Sequence, residues 1–315
     1  MTAGAASPMQ DGPVGDAGPR QRCVLVFSGA DPSGGAGIAA DILAIHAQGA
    51  HALPVITALT VQDNDRVYEV LPVEPELVLR QARALAAKGS IDAVKIGIPG
   101  SAANARAIAQ LIRELRALPG GRAASLPVVL DPVLASGHGD LLSRGDAVQA
   151  LAPLLPLVTL LTPNGLEAAA LASAYGSAGA VAEAAAHAHA GDEASARHAA
   201  QVLLEQGCRH VLVTGGHGSG DIVINRWFSA AAGQGGAGPF QGHAYNQGQG
   251  QGHGWSWARL PGGFHGSGCT LAAAIAGLLA HGFPMQQALA RAQGYTHRAL
   301  AAAFAIAPGQ RIPQR

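Results

Sequence analysis

The chain has 315 residues, 49% of them hydrophobic and 13% charged, with 20 Lys+Arg balanced by 20 Asp+Glu. That is enough apolar material for one large α/β domain or two small ones, and a formal net charge of +0 argues against a general nucleic-acid or anionic-membrane binder. Three widely spaced cysteines (Cys23, Cys208, Cys269) fit neither a disulfide framework nor a CxxC metal site, so a reducing, cytoplasmic setting is expected. No apolar run reaches the length of a membrane span, so no membrane partner is expected. Residues 1–21 are rich in Ala, Gly, Pro and Asp without an apolar h-region, and they read as a disordered tail rather than a secretory signal.

In chain order, Cys23 to Ser28 is a continuous apolar run, the mark of a strand buried on both faces. It ends in Gly29-Ala-Asp-Pro-Ser-Gly-Gly-Ala-Gly37, and a helical pattern starts at Ile38. The glycines lack GxGxxG spacing, which disfavours a dinucleotide fold. Asp41 lies one turn into that helix, either within reach of a ligand at the loop or as a solvated carboxylate. Ala52 to Val61 is a second strand, closed by a turn at Gln62-Asp-Asn-Asp. A third extended piece spans 67–73, and Glu74-Pro-Glu opens a helix with proline in its first turn.

Residues 91–98 form another buried strand, carrying Lys95, and 101–117 are helical by periodicity. A lysine at that depth of a strand reads as an ion-pair partner. The runs 126–132, 157–163 and 210–214 are strands that deliver Asp131, then Asn164 and Glu167, then Thr214 and Gly216, to one carboxyl edge. In open α/β sheets that edge binds ligands. Residues 222–228 and 255–260 suggest a later antiparallel pair. Segments 173–196 and 229–254 look inserted, the second as a mobile loop whose His243 and His253 have no metal-ligand spacing. There is no internal repeat or interdomain linker, so one domain is expected over 22–307, with 308–315 as a C-terminal tail.

Near the end, Gly262-Gly-Phe-His-Gly-Ser-Gly-Cys-Thr270 runs straight into an alanine-rich helix. A helix start offers unpaired N–H groups and the positive end of the dipole, and glycines let an anion approach the main chain. Cys269 would sit at the mouth of that anion site, where a thiol ionises more easily. No Gly-Lys-Ser/Thr follows, so this is not a Walker A loop.

Seven of these stretches, in order over about residues 23–300, resemble the hydroxymethylpyrimidine/phosphomethylpyrimidine kinases of the ribokinase-like superfamily. They are 28–41, 55–62, Lys95-Ile-Gly97, 129–133, 161–167, Gly215-Gly-His217 and His265-Gly-Ser-Gly-Cys-Thr270. The resemblance implies an α/β fold with a central mostly parallel sheet and helices on both faces. It implies ATP-dependent phosphorylation of 4-amino-5-hydroxymethyl-2-methylpyrimidine and of its monophosphate in thiamin synthesis, with Mg²⁺ and a homodimer. By carry-over, Gly29, Ala36, Asp41, Gln62 and Val133 hold the pyrimidine, and Gly266, Ser267, Gly268 and Cys269 form the catalytic anion hole. Asn164, Glu167, Thr214 and Gly216 serve the nucleotide, with Asp131 and Glu167 toward the metal. Cys269 stands where many relatives carry an aspartate base, and it is read as a modest base or an orienting group. The chain departs from the pattern at Thr214, where relatives often have lysine. It also lacks a lysine in 134–140 and has Ile98 where methionine is frequent. Two other readings stay open: a pyridoxal kinase of the same superfamily, and a non-catalytic ligand-binding relative.

Overall fold

The computed structural model describes residues 20–118, 125–134, 147–176, 193–230, 244–245 and 252–315. Ten strands form one sheet among them: β1 (Cys23–Ala30), β2 (His51–Gln62), β3 (Val67–Pro72), β4 (Ala93–Ile96), β5 (Val128–Leu130), β6 (Leu160–Leu161), β7 (His210–Val213), β8 (Ile222–Ser229), β9 (Ala244–Tyr245) and β10 (Gly252–Ala258). Their spatial order is β3-β2-β1-β4-β5-β6-β7-β8-β10-β9. Strands β2 to β7 of that order pair parallel through the centre, while β3 at one end and β8, β10 and β9 at the other pair antiparallel.

The helices are α1 (Gly37–His46), α2 (Pro75–Ala86), α3 (Ala102–Ala117), α4 (Ala147–Ala150), α5 (Gly165–Tyr175), α6 (Glu193–Glu205), α7 (Ser267–Ala280) and α8 (Met285–Ala301). The two-residue period of a strand sends alternate side chains to two buried faces, so the central runs are mostly apolar on both. On β1, Leu25 and Phe27 pack into a core shared with α2, α3, α5 and α6. Val24 and Val26, one residue out of phase, enter the opposite core with α1, α7 and α8. Pro75 opens α2, Ser101 caps α3 by accepting from the Asn104 N–H, and α5 begins with a capping box between Asn164 and Glu167.

The expected strands are present; those at 23–28, 52–61 and 222–228 extend further than expected, and those at 126–132 and 157–163 shrink to 128–130 and 160–161. The mobile-loop expectation for 229–254 is corrected in part: Ala244–Tyr245 and Gly252–Ala258 are strands, and His253 stacks on Trp227. Of the other inserted stretch, 193–196 begin α6, whereas 177–192 lie outside the described residues, as do 1–19, 231–243 (with His243) and 246–251. Arg20 already pairs with Asp92.

The segment 308–315 is folded back rather than trailing away. Phe264 bridges Arg311, Phe304 bridges Ile312, and Ile312 is buried. Among the described residues no helix is long and apolar enough to cross a membrane.

Candidate active site

Strand β1 lies between β2 and β4, so the chain order reverses there and the loops after β1 and β4 diverge to opposite sides of a crevice. Such a switch point is the expected ligand position. Gly29, the last residue but one of β1, lies against Ile98, whose Cδ1 would lie 2.7 Å from a Cβ at that glycine. Ile98, Val133 and Val67 pack on Ala58 and Val70, a small apolar wall beside the first glycine loop.

That loop is organised by Asp31. Its carboxylate accepts from the Ser33 N–H (2.8 Å) and the Ala36 N–H (2.7 Å), and meets His265 Nε2 at 2.8 Å. Burial pushes the Asp31 carboxyl up, but the hydrogen bonds from His265, Ser33 and Gln62 outweigh it, leaving the group well below the usual carboxylate range. Gln62 therefore faces Asp31 across the loop, and Ala36 is the N-cap of α1. Asp31 was missed as a site residue by sequence reasoning. Its signal was the Asp-Pro-Ser order, whose Asp side chain turns the backbone by bonding two residues ahead.

Asp41 does not open onto the crevice. Its carboxylate and the Lys95 ammonium form an ion pair of 2.8 Å with both side chains 0% exposed. Burial alone would lower the Lys95 pKa, but Asp41, Cys269 and Asp131 around it raise it, so the lysine is held charged. The ion-pair reading of Lys95 thus holds, with its partner on α1.

The second glycine loop lies directly over the first. Gly266 is the N-cap of α7 with φ +80°, and a side chain there would run into the Gly35 carbonyl. The first N–H groups of α7 have no partner within the helix and point along its axis. A Cβ on Gly268 would lie 3.5 Å from Asp131 Oδ2, which places the Asp131 carboxylate under this helix start. Ser267 begins α7, and Cys269 sits between Asp131, Lys95 and Asp41, with the Gly37 N–H toward its sulfur. The expected easy ionisation of Cys269 is corrected: burial, aided by the two carboxylates, pushes its thiol up to about 12 despite Lys95 and the Gly37 N–H. The residue keeps partial exposure at the helix start, but the desolvation of its sulfur and the carboxylates of Asp131 and Asp41 outweigh the helix dipole.

Further along the edge, Asn164 and Thr214 are joined by a parallel bridge, with the Thr214 N–H donating to Pro163 O at 2.8 Å. Burial and then the nearby Asp131 push the Glu167 carboxyl up to about 8, while burial takes Asp131 to about 6. Asp131 is 3% exposed, and its Oδ2 lacks a hydrogen-bond partner. Two desolvated carboxylates that repel one another fit a hard divalent cation held partly through water. Among the described residues no group of three or more His, Cys, Asp or Glu could hold a metal, so water and phosphate oxygens would complete such a shell. Gly216 lies in the turn after β7, where Arg259 donates to its carbonyl (2.7 Å) and to that of Gly220 (2.6 Å). Arg259 also escaped sequence reasoning, because it follows β10 rather than a recognisable motif.

The structure thus brings Gly29, Ala36, Gln62 and Val133 to one side of the crevice and Gly266, Ser267, Gly268 and Cys269 over it. Asp131 and Glu167 lie beneath, Asn164, Thr214 and Gly216 extend the edge, and Asp41 sits behind it. A family model described as phosphomethylpyrimidine kinase matches residues 31–313. The chain belongs to that family. The hydroxymethylpyrimidine/phosphomethylpyrimidine kinase of Rhizobium meliloti is 36% identical over 293 residues, covering 91% of this chain and 93% of that protein. The Escherichia coli protein of the same name is 32% identical over 289 residues, covering 91% and 94%. Among solved structures, pyridoxal kinase from Staphylococcus aureus in complex with pyridoxal matches with TM-score 0.72 at 21% identity, covering 94% of this chain and 93% of that one. Phosphomethylpyrimidine kinase from Clostridium difficile matches with TM-score 0.64 at 24% identity, covering 88% and 98%. Those two likenesses establish the ribokinase-like fold, and the chain is a kinase by family.

Proposed function

We propose that this kinase transfers the γ-phosphoryl group of ATP to the hydroxymethyl oxygen of 4-amino-5-hydroxymethyl-2-methylpyrimidine, and then to the phosphate of that product. The observation that carries the reading is the stacking of two glycine loops, one beside an apolar wall and one at a helix N-terminus, joined by Asp31 and His265. The ring lies against Ile98 and Val133, with main-chain groups of Gly29 and Ala36 and the amide of Gln62 for its nitrogens. The alcohol oxygen attacks the γ-phosphorus, the bond to the ADP oxygen breaks, and the alcohol proton departs to water. Gly266, Ser267, Gly268 and Cys269 present N–H groups to the equatorial oxygens, which is where phosphoryl transfer gains most.

Asp41 supports this surface from behind by fixing Lys95, whose charge faces Cys269 and Asp131. Because the Cys269 thiol is protonated at neutral pH, its role is to orient the alcohol, with positioning supplying most of the rate. Asn164, Thr214 and Gly216 line the nucleotide path. ATP as the donor is supported by the ADP and AMP-PCP complexes of the Staphylococcus aureus pyridoxal kinase. Mg²⁺ would be held by Asp131 and Glu167 through water, neutralising phosphate charge when bound.

The proposal includes a cytoplasmic homodimer. The β2–β3 hairpin is a sheet edge that exposes Leu59, Val61, Tyr68 and Leu71, an apolar strip suited to a second copy. ATP consumption with Mg²⁺, run in parallel with the hydroxymethylpyrimidine and with pyridoxal and resolved by mass, tests the reading. Mono- and diphosphate from the pyrimidine are expected. Preference for pyridoxal would reassign the ring pocket, and no turnover with either would remove the kinase reading.

A further inference from the structure

We propose that Arg315 is a positioning residue, a clasp that fixes the distance between the loop holding the alcohol and the loop holding the phosphoryl group. The proposal deepens the kinase reading and rests on it. Arg315 Nε donates to Thr270 Oγ1 at 2.9 Å, and Nη2 donates to the Gly35 carbonyl and, at 3.3 Å, to the Gly266 carbonyl. Nη1 reaches the Gly34 carbonyl at 3.5 Å. Thr270 in turn donates its hydroxyl to the Gly266 carbonyl at 2.7 Å. One planar fork therefore grips residues about 230 positions apart in the chain.

The far side of the same two loops is tied by other means. Asp31 Oδ2 meets His265 Nε2 and accepts from the Ala36 N–H. The peptide between Gly35 and Ala36 is thus held at both ends, its carbonyl by Arg315 and its N–H by Asp31. The Gly266 carbonyl is held as well, which turns the following N–H of Ser267 away from Arg315 and along the start of α7. The ring closes through Arg315, the Gly35 peptide, Asp31, His265 and Gly266.

The segment that carries Arg315 is itself anchored. The Asn64 amide, 3% exposed in the turn after Gln62, donates to the carbonyls of Pro308 (3.2 Å) and Gln310 (2.9 Å). Arg311 donates its N–H to Gly263 O at 3.0 Å and accepts from the His265 N–H at 2.9 Å. The Gln314 N–H donates to Ala299 O at 2.9 Å. The two glycine loops follow different strands and share no backbone ladder; beside the Gly37 N–H that reaches Cys269, this anchored arginine and the Asp31–His265 pair tie their tips together. An in-line transfer responds steeply to that spacing, whereas the affinity of either ligand for its own loop does not.

The test compares Arg315→Ala and Arg315→Lys with the unmodified chain. Arg315→Ala is expected to lower kcat by about 10- to 100-fold while the KM values for ATP and pyrimidine each change by less than about threefold. Arg315→Lys keeps the charge but gives up the fork, so it is expected to stay near the alanine variant, and guanidinium ion added to Arg315→Ala is expected to restore part of the rate. Hydrogen exchange on the ligand-free proteins gives a readout independent of substrate: Arg315→Ala is expected to speed exchange in both 31–37 and 262–270 and leave β1 and β4 unchanged. A kcat within about twofold of the unmodified chain, full activity of Arg315→Lys, or unchanged exchange in both loops would each overturn the clasp. If the unmodified chain turns over neither alcohol, the function reading falls while the exchange result still decides for or against Arg315.

Discussion

Replacing Lys95 by methionine removes the cation that faces Asp41, Asp131 and Cys269 from a site with no exposure to water. At 2.8 Å, the attraction between Lys95 and Asp41 is about 6 kcal/mol for an effective dielectric near 20. Desolvating each ion costs several kcal/mol, so the intact pair is close to neutral in net stability. Removing one member is a different matter, because it strands a buried charge at a cost of about 3–5 kcal/mol. Lys95→Met should lie at the upper end, since it leaves two carboxylates sharing one pocket, and Asp41→Asn at the lower end. The double variant should cost about 2 kcal/mol or less, because methionine and asparagine leave no stranded ion from the pair. Urea unfolding at pH 7 with a constant m-value is the assay, analysed as a double-mutant cycle. Asp41→Asn costing under about 1 kcal/mol, or a double variant equal to the sum of the singles, would refute the reasoning.

The carboxylate pair proposed to hold Mg²⁺ has a pH signature. Asp131 and Glu167 are raised from 3.8 and 4.5 to about 6 and about 8, so the folded chain holds protons that the unfolded chain has released. Their stabilising effect is full below the unfolded values and is lost as pH rises through about 6 and then about 8. Melting temperature in a chelator should therefore fall over that window, Mg²⁺ should restore it most at the alkaline end, and Glu167→Gln should flatten the alkaline part; a Mg²⁺ response independent of pH would contradict the assignment. Cys269→Ala should reduce kcat by less than about tenfold with an unchanged pH–rate profile, whereas a loss of 10²–10⁴-fold would make the thiol a general base after all. Arg259→Ala should raise the KM for ATP by about tenfold and leave that for the pyrimidine alone, because it frees the turn at Gly216 and Gly220; equal effects on both would place Arg259 elsewhere in the mechanism.

The sheet was legible because a strand buried on both faces is mostly apolar, as the runs beginning at Cys23 and His210 are, with Lys95 of β4 the buried exception. The edge residues were legible for the same reason, since each run ends where a polar residue can first reach the ligand side. That Lys95 would be paired followed from its depth, but its partner did not, because Asp41 lies 54 positions away on a helix whose inward face is otherwise alanine and isoleucine. The expectation for the Cys269 thiol failed because a motif specifies its place at a helix start and says nothing of the carboxylates of Asp131 and Asp41 packed near its sulfur. Residues 308–315 were read as a tail because they hold few apolar side chains. They are fixed mainly by backbone bonds and by the side chains of Asn64 and Arg315, which leave no periodic trace in a sequence.

The missing family lysines look different in this light. Thr214 occupies the position of one, and the only lysine within the motifs, Lys95, is buried in its pair with Asp41. The fold places two arginines from outside the motifs nearby, Arg259 at the turn after β7 and Arg315 behind the start of α7. Each donates to main-chain carbonyls, Arg259 to those of Gly216 and Gly220 and Arg315 to those of Gly35 and Gly266, so each places its charge while fixing the backbone around it. A lysine with one ammonium could supply the field but not that fork. Positive charge carried by the scaffold rather than by a mobile side chain is already oriented before substrate arrives, and preorganised charge of that kind is what phosphoryl transfer uses.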